Sequence, residues 1–403
     1  MDIYTVRSGA LTSSTFHSGL RNLARESDGT LWCAYHRAVS TVNQIFAAYS
    51  TDGGETWTEQ QVTDKTGAQN SPSIAIDKGD NIHVVWHGLG WGTYSSNENI
   101  VYRKRTSGGW QTAEVVADIN GSQYEPALAV DSSDIIHVVW EGWGWAPYGA
   151  YTRVCYRQRT SAGWQDHESV AHIGAYQSTP NLAIDSQDDV HVVWRGQGWG
   201  DYTTKYQIQY RKRTSGGWQT QEAITNVDYN QELATIATDS QDDVHIVLAG
   251  EGWGTNTDRG NIQYRKKTSG GWQSQEAITD HTSGQSSPTI AISADSNVHV
   301  VWTGLGWGTN TLRRNVKYRQ KTSEGWQSQV AITDRDQHQY YASFIWATYP
   351  IIKDARTNRP KSGFAFVWSG ATSATRLVEI CLSDDLDWDE IKIVSPFPCH
   401  FRR

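Results

Sequence analysis

The chain has 403 residues and a formal net charge of −8 at pH 7, with 20 Trp, 19 Tyr and 36 Gly against a single Met. An acidic chain without a long basic run is not expected to bind nucleic acid, and no stretch reaches the roughly 18 apolar residues of a membrane helix. Residues Met1–Thr5 lack the basic start of a signal peptide. Abundant Trp, Tyr and Gly favour strands and tight turns.

The N-terminal part of the chain predicts short strands. Ile3–Val6 is an isolated strand, and residues 20–63 form a unit with strands at Leu31–Tyr35 and Gln44–Ser50. Apolar and β-branched runs bounded by turn residues carry this interpretation.

A strict repeat of 54 residues follows and tiles residues 70–339 five times without an insertion. One large apolar position recurs at Trp86, Trp140, Trp194, Leu248 and Trp302. Residues 286–339 show the pattern of each unit, with strands at Pro288–Ser293, Val298–Thr303, Val316–Thr322 and Gln329–Thr333. Repeats of this length made of short strands are typical of propeller blades.

The last unit, residues 340–394, predicts strands at Phe364–Trp368, Leu377–Leu382 and Glu390–Val394, with an insertion around Tyr349–Lys361. One, five and one units give an all-β fold, a single seven-bladed β-propeller of four-stranded antiparallel blades. The predicted blades are 8–69, 70–123, 124–177, 178–231, 232–285, 286–339 and 340–403. Residues 1–7 are expected to join the edge of the last blade and to close the ring.

One segment resembles a known motif. Ser50–Trp57 reads Ser-Thr-Asp-Gly-Gly-Glu-Thr-Trp and resembles the Asp-box of sialidase-type (BNR-repeat) propellers at every defined position. Reduced copies occur at Thr106–Trp110, Thr214–Trp218 and Ser383–Trp388. The resemblance covers nearly the whole chain and implies the fold. It implies little about activity, because in that family the box closes the turn between the third and fourth strands, away from the active site.

Residues that recur in every unit are expected to be structural, because every blade must solve the same packing problem. A His on the second strand (His83, His137, His191, His245, His299) is predicted to be buried and hydrogen-bonded. An Asp closing the first strand (Asp77, Asp131, Asp185, Asp239) is predicted to cap a turn, with a calcium site shared with Asp80 or Asp188 as the alternative. An Arg on the third strand (Arg103, Arg157, Arg211, Arg265, Arg319) is predicted to pair with an acidic residue of the neighbouring blade, with a cluster that binds a carboxylated sugar as the alternative.

A second recurring pattern points to a ligand. A Trp flanked by glycine lies in the loop after the second strand, and a Gln recurs in the connection that opens on the same face. Indole rings stack on sugars, and amides bond their hydroxyls. The predicted ligand-binding residues are Trp91, Trp145, Trp199, Trp253, Trp307, Gln69, Gln123, Gln177, Gln231, Gln285 and Gln339. The alternative is that each Trp fills the gap between adjacent blades.

Catalysis is the less favoured interpretation of this sequence. The Arg-Ile-Pro-type motif that supplies the first arginine of a sialidase is absent, since the N-terminal region offers only Arg7 and Arg21. The central units also have equal loop lengths, and no catalytic residue is assigned. Paired carboxylates of a glycosidase could still assemble across the central opening from Glu125, Glu141, Glu232 or Glu251.

We therefore predict a multivalent, lectin-like propeller that binds a glycan surface, as a phage receptor-binding or tail-associated protein or as a surface adhesin. One alternative is a glycoside hydrolase or polysaccharide lyase at the seam between the last and first blades, and another is a structural or protein-binding propeller. Five similar sites would favour the lectin, and one deep acidic pocket would favour the enzyme. The missing signal sequence favours a virion or extracellular location reached by another route.

The four cysteines, Cys33, Cys155, Cys381 and Cys399, do not recur with the repeat and lack metal-ligand spacing. Free thiols are expected, with a bridge from Cys399 to Cys381 or Cys33 as the alternative. No cofactor is expected, apart from the calcium considered above.

Overall fold

Seven antiparallel sheets make up the chain, and each sheet is one blade of a ring. The computed structural model describes residues 2–8, 22–147, 149–171, 173–293, 295–353, 360–371 and 376–382, with the backbone alone at 2–4, 7–8 and from 340 onward. The prediction of an all-β, seven-bladed propeller is confirmed. No helix occurs within those ranges, and so none that is long and apolar enough to cross a membrane.

We number the blades one to seven along the chain and the strands of each blade one to four outward from the ring axis. The first strands are Leu23–Arg25, Gln69–Ile76, Gln123–Val130, Gln177–Ile184, Gln231–Thr238, Gln285–Ile292 and Gln339–Lys353. The second strands are Leu31–Val39, Ile82–Gly88, Ile136–Gly142, Val190–Gly196, Val244–Gly250, Val298–Gly304 and Pro360–Ala371. The third strands are Val42–Ser50, Asn99–Thr106, Arg153–Thr160, Gln207–Thr214, Asn261–Thr268, Asn315–Thr322 and Arg376–Leu382.

The fourth strands differ between the blades. Blade one has Thr58–Gln61 and blade seven has Asp2–Ser8. In the central blades the strand is split into two pieces, which are Gly109–Trp110 with Glu114–Ala117, Gly163–Trp164 with Glu168–Ser169, Gly217–Trp218 with Glu222–Ala223, Gly271–Trp272 with Glu276–Ala277, and Gly325–Trp326 with Val330–Ala331.

The ring is closed by strands from both ends of the chain. Asp2–Ser8, which contains the predicted strand Ile3–Val6, pairs antiparallel with Arg376–Leu382 at the outer edge of blade seven. The first strands of neighbouring blades contact one another around the axis, including those of blades one and seven. The predicted strand at residues 390–394 lies outside the described residues.

The insertion predicted around 349–361 lengthens a hairpin of blade seven. Gln339–Lys353 continues to the pair Lys353 and Pro360 on the opposite strand, so the described part of the insertion is strand. The register shifts between Ala347 and Ile352, as expected where extra residues enter one strand.

The hydrophobic core lies between the blades. Trp194 is fully buried and packs in one cluster with Val139 and Tyr156 of the preceding blade. Leu248 takes the same position in blade five and is also fully buried. The recurring large apolar position of the repeat therefore forms the packing between blades.

In blades two to five the recurring histidine belongs to a buried chain of three side chains, between an aspartate and a tyrosine; in blade six Ser293 stands in place of the aspartate. In blade two, His83 Nε2 lies 3.0 Å from Asp77 Oδ2 and His83 Nδ1 lies 2.6 Å from the Tyr102 hydroxyl. The remaining oxygen of Asp77, Oδ1, accepts hydrogen bonds from the backbone N–H groups of Gly79 and Asn81, both at 2.9 Å. A buried histidine and a turn-capping aspartate were predicted, and both are confirmed; calcium binding there stays a prediction.

The buried His83 makes the fold sensitive to acid. Burial lowers the pKa of His83 to about 4, against the opposing effect of Asp77. Because its folded pKa lies below the unfolded value of 6.5, protonation favours the unfolded chain. Its contribution to stability is complete above about pH 6.5 and is lost as the pH falls toward about 4. Thermal unfolding followed by circular dichroism should show the midpoint falling across this window, and falling less in His83→Gln. Equal falls in both proteins would contradict this assignment.

The recurring arginine of the third strand has a different partner from the one predicted. Arg157 Nη1 donates to the backbone carbonyl of Val116 in the preceding blade at 2.6 Å, and its Nε donates to the Gln165 carbonyl at 2.5 Å. The acidic partner is contacted two residues later, where Arg159 meets Glu114 of the preceding blade at 2.9 Å. The structural role was correctly predicted, but the acidic partner was wrong, because strand alternation places Arg157 over a backbone edge.

The Asp-box segment closes the predicted turn between the third and fourth strands of blade one. Ser50 Oγ accepts from the backbone N–H of Gly54 at 2.7 Å, Asp52 accepts from the backbone N–H of Thr56 at 2.9 Å, and Trp57 Nε1 donates to the Gly54 carbonyl at 2.8 Å.

Of the four cysteines, Cys33 and Cys155 are buried free thiols. The Cys381 side chain and Cys399 lie outside the described part of the chain.

Candidate functional site

A buried glutamine holds two tryptophans together in four of the central blades. In blade four, Gln177 Oε1 accepts from Trp194 Nε1 at 2.8 Å and from Trp199 Nε1 at 3.2 Å. Its amide donates to the backbone carbonyls of Ala175 at 3.3 Å and Gln197 at 2.8 Å. The equivalent sets are Gln69 with Trp86 and Trp91, Gln123 with Trp140 and Trp145, and Gln285 with Trp302 and Trp307. We call each set a glutamine lock.

The last residue of the second strand must be glycine, because a side chain there would occupy the space of the glutamine. A Cβ atom on Gly196 would lie 2.0 Å from Gln177 Oε1, well inside van der Waals contact. The same restriction applies at Gly88, Gly142, Gly250 and Gly304. Blade five keeps the glutamine, and Gln231 accepts from Trp253 at 2.8 Å, but Leu248 removes the second indole.

The predicted ligand-binding residues therefore lie in two environments. The glutamines are buried, and their amides bond inside the blade; Gln339 is also buried. The tryptophans of the loops are partly exposed. Their surroundings differ, since Lys65 Nζ lies 3.9 Å from the Trp91 ring centre while His281 lies 4.4 Å from that of Trp307. Sugar binding by these rings stays a prediction, but the five rings are not equivalent sites.

The residue that follows the buried tryptophan changes from blade to blade. It is His87, Glu141, Arg195, Ala249 and Thr303 in blades two to six, and His36 at the matching position of blade one. On the first strand, Tyr124 is the cross-strand partner of Glu141, and Ser178 is that of Arg195. This end of the blades opens on the face of the Gly-Trp-Gly loops. Because this position varies while the neighbouring glutamine lock is kept, its side chain can differ between blades without disturbing the fold.

Blades two, three and four bring such groups together, and we call this set the three-blade cluster: His87, Tyr124, Glu125, Glu141 and Arg195. The backbone N–H of Glu125 donates to His87 Nδ1 at 3.3 Å, and the rings of His87 and Tyr124 meet edge to face at 5.3 Å. Glu141 reaches into blade four, which carries Arg195. The contacts of His87 and Glu141 join neighbouring blades, so the cluster depends on the packing of blades two, three and four.

The first strand bends where it enters the cluster. Glu125 has a φ of 51° and Thr179 a φ of 50°, and the strand register shifts at both positions. The same left-handed backbone recurs at the matching positions Ser71 (49°) and Ser287 (53°), so the bend belongs to the repeat. Thr179 uses this bend to donate its backbone N–H to Glu141 Oε2 at 2.6 Å. Arg195 Nε in turn donates to Ser178 Oγ at 3.0 Å.

Both carboxyl groups of the cluster hold their protons at neutral pH. Burial raises the pKa of Glu125 to about 8, against the attraction of Arg195. Burial and the neighbouring Glu125 raise the pKa of Glu141 to about 8, against the Thr179 N–H and Arg195. The guanidinium carries its charge throughout. At neutral pH the cluster is therefore a partly exposed cation beside two uncharged carboxyl groups.

Of the four carboxylates considered from the sequence, Glu125 and Glu141 come together in this cluster. Glu232 and Glu251 lie exposed in blade five and are not part of it. The enzyme alternative placed its site at the seam between blades seven and one, whereas the cluster lies in blades two to four. Sequence reasoning missed Arg195, although a signal was present: among the central blades only blade four has an arginine at this position, between two positions that repeat.

The comparison with solved structures shows the architecture. No family model matches the chain, and no match was found among curated proteins. The fold is similar to a PL25 ulvan lyase, a polysaccharide lyase, with a TM-score of 0.65 and 11% identity over 95% of both chains. The structure of such a lyase bound to glucuronate linked to sulfated rhamnose gives a TM-score of 0.64 and 10% identity over 94% of this chain and 95% of that chain. Another polysaccharide lyase gives 0.56 and 8% over 90% and 89%.

These comparisons correct the main functional prediction. Three propellers that share this architecture over nearly their whole length are polysaccharide lyases, and this finding contradicts the prediction of a multivalent lectin-like binder. The propeller part of the sialidase-type resemblance is confirmed. Membership of that family is not.

Proposed function

We propose that this chain is a polysaccharide lyase that cleaves uronate-containing chains at the three-blade cluster. The observation that carries the proposal is Arg195 beside two carboxyl groups that are protonated at neutral pH. A cation with uncharged neighbours attracts an anionic sugar, which two ionised glutamates would repel. The fold shared with polysaccharide lyases supports the same reaction class.

In this mechanism Arg195 binds the carboxylate of the uronate next to the bond that breaks. As the C5 proton is removed, negative charge develops on that carboxylate, and Arg195 and the protonated Glu141 stabilise it by charge and hydrogen bonding. Donors prepared in advance for developing charge are the largest single contribution in many enzymes. A carboxylic acid kept neutral by its surroundings can donate such a hydrogen bond.

Tyr124 is assigned to proton transfer, because its partly exposed phenol enters the cluster beside His87. The C5–H bond breaks as the tyrosine oxygen takes this proton, and in the same step the hydroxyl gives up its own proton, so the phenol is regenerated. The electron pair forms the C4–C5 double bond, the C4–O bond breaks, and the leaving oxygen takes a proton from the same hydroxyl. No water is consumed, and each cut leaves one unsaturated sugar and one new reducing end.

The purified protein should be incubated with ulvan, polygalacturonate, alginate and hyaluronan, with ultraviolet absorbance and reducing ends measured together. A lyase raises both signals in equal amounts. Reducing ends without absorbance would indicate hydrolysis and overturn the lyase, with Glu125 and Glu141 then the acid and base pair of a glycosidase. Neither signal on any uronate polymer would overturn the proposal.

The pH dependence of cleavage follows from the two raised pKa values. Activity should fall as the pH rises through about 8, because Glu125 and Glu141 then lose their protons and repel the uronate. Glutamine keeps the shape and cannot ionise, so the double variant Glu125→Gln/Glu141→Gln should lose this fall. The measurement is kcat/KM from pH 6 to pH 9.5 for both proteins. Identical alkaline limbs would show that other groups set the profile.

A further inference from the structure

Three exposed aromatic side chains lie together beside the three-blade cluster. Trp143, Tyr151 and Tyr176 are 38%, 36% and 38% exposed. Tyr176 meets Trp143 at 6.4 Å and Tyr151 at 5.3 Å between ring centres, edge to face in both cases. We call this set the aromatic platform.

Among the five central blades the platform occurs once. The positions equivalent to Trp143 are Leu89, Gln197, Glu251 and Leu305; those equivalent to Tyr176 are Ala68, Ser122, Asn230 and Gly284; and those equivalent to Tyr151 are Asn97, Lys205, Arg259 and Arg313. Packing between blades is therefore achieved elsewhere without these rings. Their presence at the junction of blades three and four alone calls for a role outside the repeat.

The platform is continuous with the cluster along two chain segments. Trp143 follows Glu141 by two residues, about 7 Å at about 3.3 Å per strand residue. Tyr176 precedes by three residues the Thr179 whose N–H binds Glu141. The backbone is held firmly, since Trp143 N–H donates to the Ser122 carbonyl at 3.1 Å and the Trp143 carbonyl accepts from the Gln123 lock at 3.0 Å.

We propose that the aromatic platform is a sugar-binding subsite that holds the polysaccharide chain next to the bond that is cleaved. The position of this subsite relative to the cleaved bond rests on the proposed function. Binding there is by aromatic rings that stack on the C–H faces of sugars. Edge-to-face contacts fix the rings before the ligand arrives, so little side-chain entropy is lost on binding. The occupant is a unit of the same chain, one or two units from the uronate held by Arg195.

The test uses substitutions that the repeat itself accepts. Trp143→Gln and Tyr176→Ser introduce residues found at the same positions of blades four and three, so the fold is expected to persist; unfolding midpoints verify this. Both are made in a Tyr124→Phe background, so that the polymer is not cut. Affinity electrophoresis in gels containing ulvan, polygalacturonate, alginate, hyaluronan or neutral arabinan measures binding. Tyr94→Ala, at another exposed tyrosine (40%) in blade two, is the matched control.

Each single substitution should weaken binding about five- to tenfold, and the pair should abolish retardation, while Tyr94→Ala changes nothing. In the cleaving protein, Trp143→Gln should raise KM for long chains and leave kcat unchanged. Retardation that survives the double substitution, or absence of retardation of the Tyr124→Phe protein by every polymer, would overturn the subsite. Retardation that depends on the platform in a protein that cleaves nothing would support the subsite while the lyase proposal fails.

Discussion

Arg195→Ala is expected to lower kcat/KM for cleavage of a uronate polymer by about 10²- to 10³-fold, the cost of removing one charge-stabilising donor from an active site. The loss should appear mainly in kcat, because the carboxylate gains charge as the C5 proton leaves. Ultraviolet absorbance of the unsaturated product measures the rate. Arg195→Lys should recover only part of the activity, since an ammonium keeps the charge and loses the paired N–H groups of the guanidinium.

The matched control is Thr303→Ala, which changes the same position of the repeat in blade six. It should leave the rate within a factor of about two, because no charged group of the three-blade cluster lies in that blade. Equal losses in the two variants would mean that this position serves folding rather than chemistry. An unaltered rate in Arg195→Ala would remove the central support for the lyase.

Gln177→Met is expected to destabilise the fold strongly, although it is a conservative change in size. Methionine matches the size of glutamine but can bond neither the two indole N–H groups nor the two backbone carbonyls of the lock. Leaving a buried polar group without a partner costs roughly 1–3 kcal/mol. Four such groups give a loss of several kcal/mol in the free energy of unfolding, measured by denaturant titration.

Blade five supplies the internal control for this prediction. Gln231→Met leaves Trp253 as the only indole without a partner, because Leu248 stands where the other blades have tryptophan. Its loss should therefore be smaller than that of Gln177→Met by roughly 1–3 kcal/mol, the contribution of one buried N–H. Equal losses would show that the lock stabilises through packing rather than hydrogen bonding.

The fold was predictable because its information is repeated. A strict spacing, such as that from Trp140 to Trp194, identifies the blade before any strand is assigned. The outer strand of blade seven could be anticipated from Ile3–Val6, since a ring of sheets needs its open edge covered. The edge partner of Arg157 could not be predicted, because the neighbouring blade's backbone offers no sequence signal.

The glutamine lock shows where sequence reasoning on the site stops. From the sequence alone, a Gln and a Trp that recur on one face are as consistent with a sugar site as with a structural lock. Gln177 meets Trp194 and Trp199 at separations of 17 and 22 residues, and such bonds depend on how the second strand and its loop fold back. The recurrence itself favours a structural role, because residues that every blade shares are more often part of the scaffold than of a binding site.

Part of the three-blade cluster could be predicted from the sequence. Glu125 and Glu141 could be chosen as carboxylates near the opening, but their raised pKa values depend on burial that only the closed ring provides. The left-handed backbone at Glu125 is not what a glutamate in a strand predicts. Arg195 could have been found by asking which residues break the repeat next to an unbroken position.

Closure by the N-terminal strand sets a waiting time during synthesis. Asp2–Ser8 leaves the ribosome roughly 370 residues before its partner strand, Arg376–Leu382. At about 5–20 residues per second this delay is on the order of 20–70 seconds. Throughout it the first strand has no native partner, and the growing stack of blades presents an open edge to other nascent chains. Translation speed therefore acts on how much of this protein closes correctly.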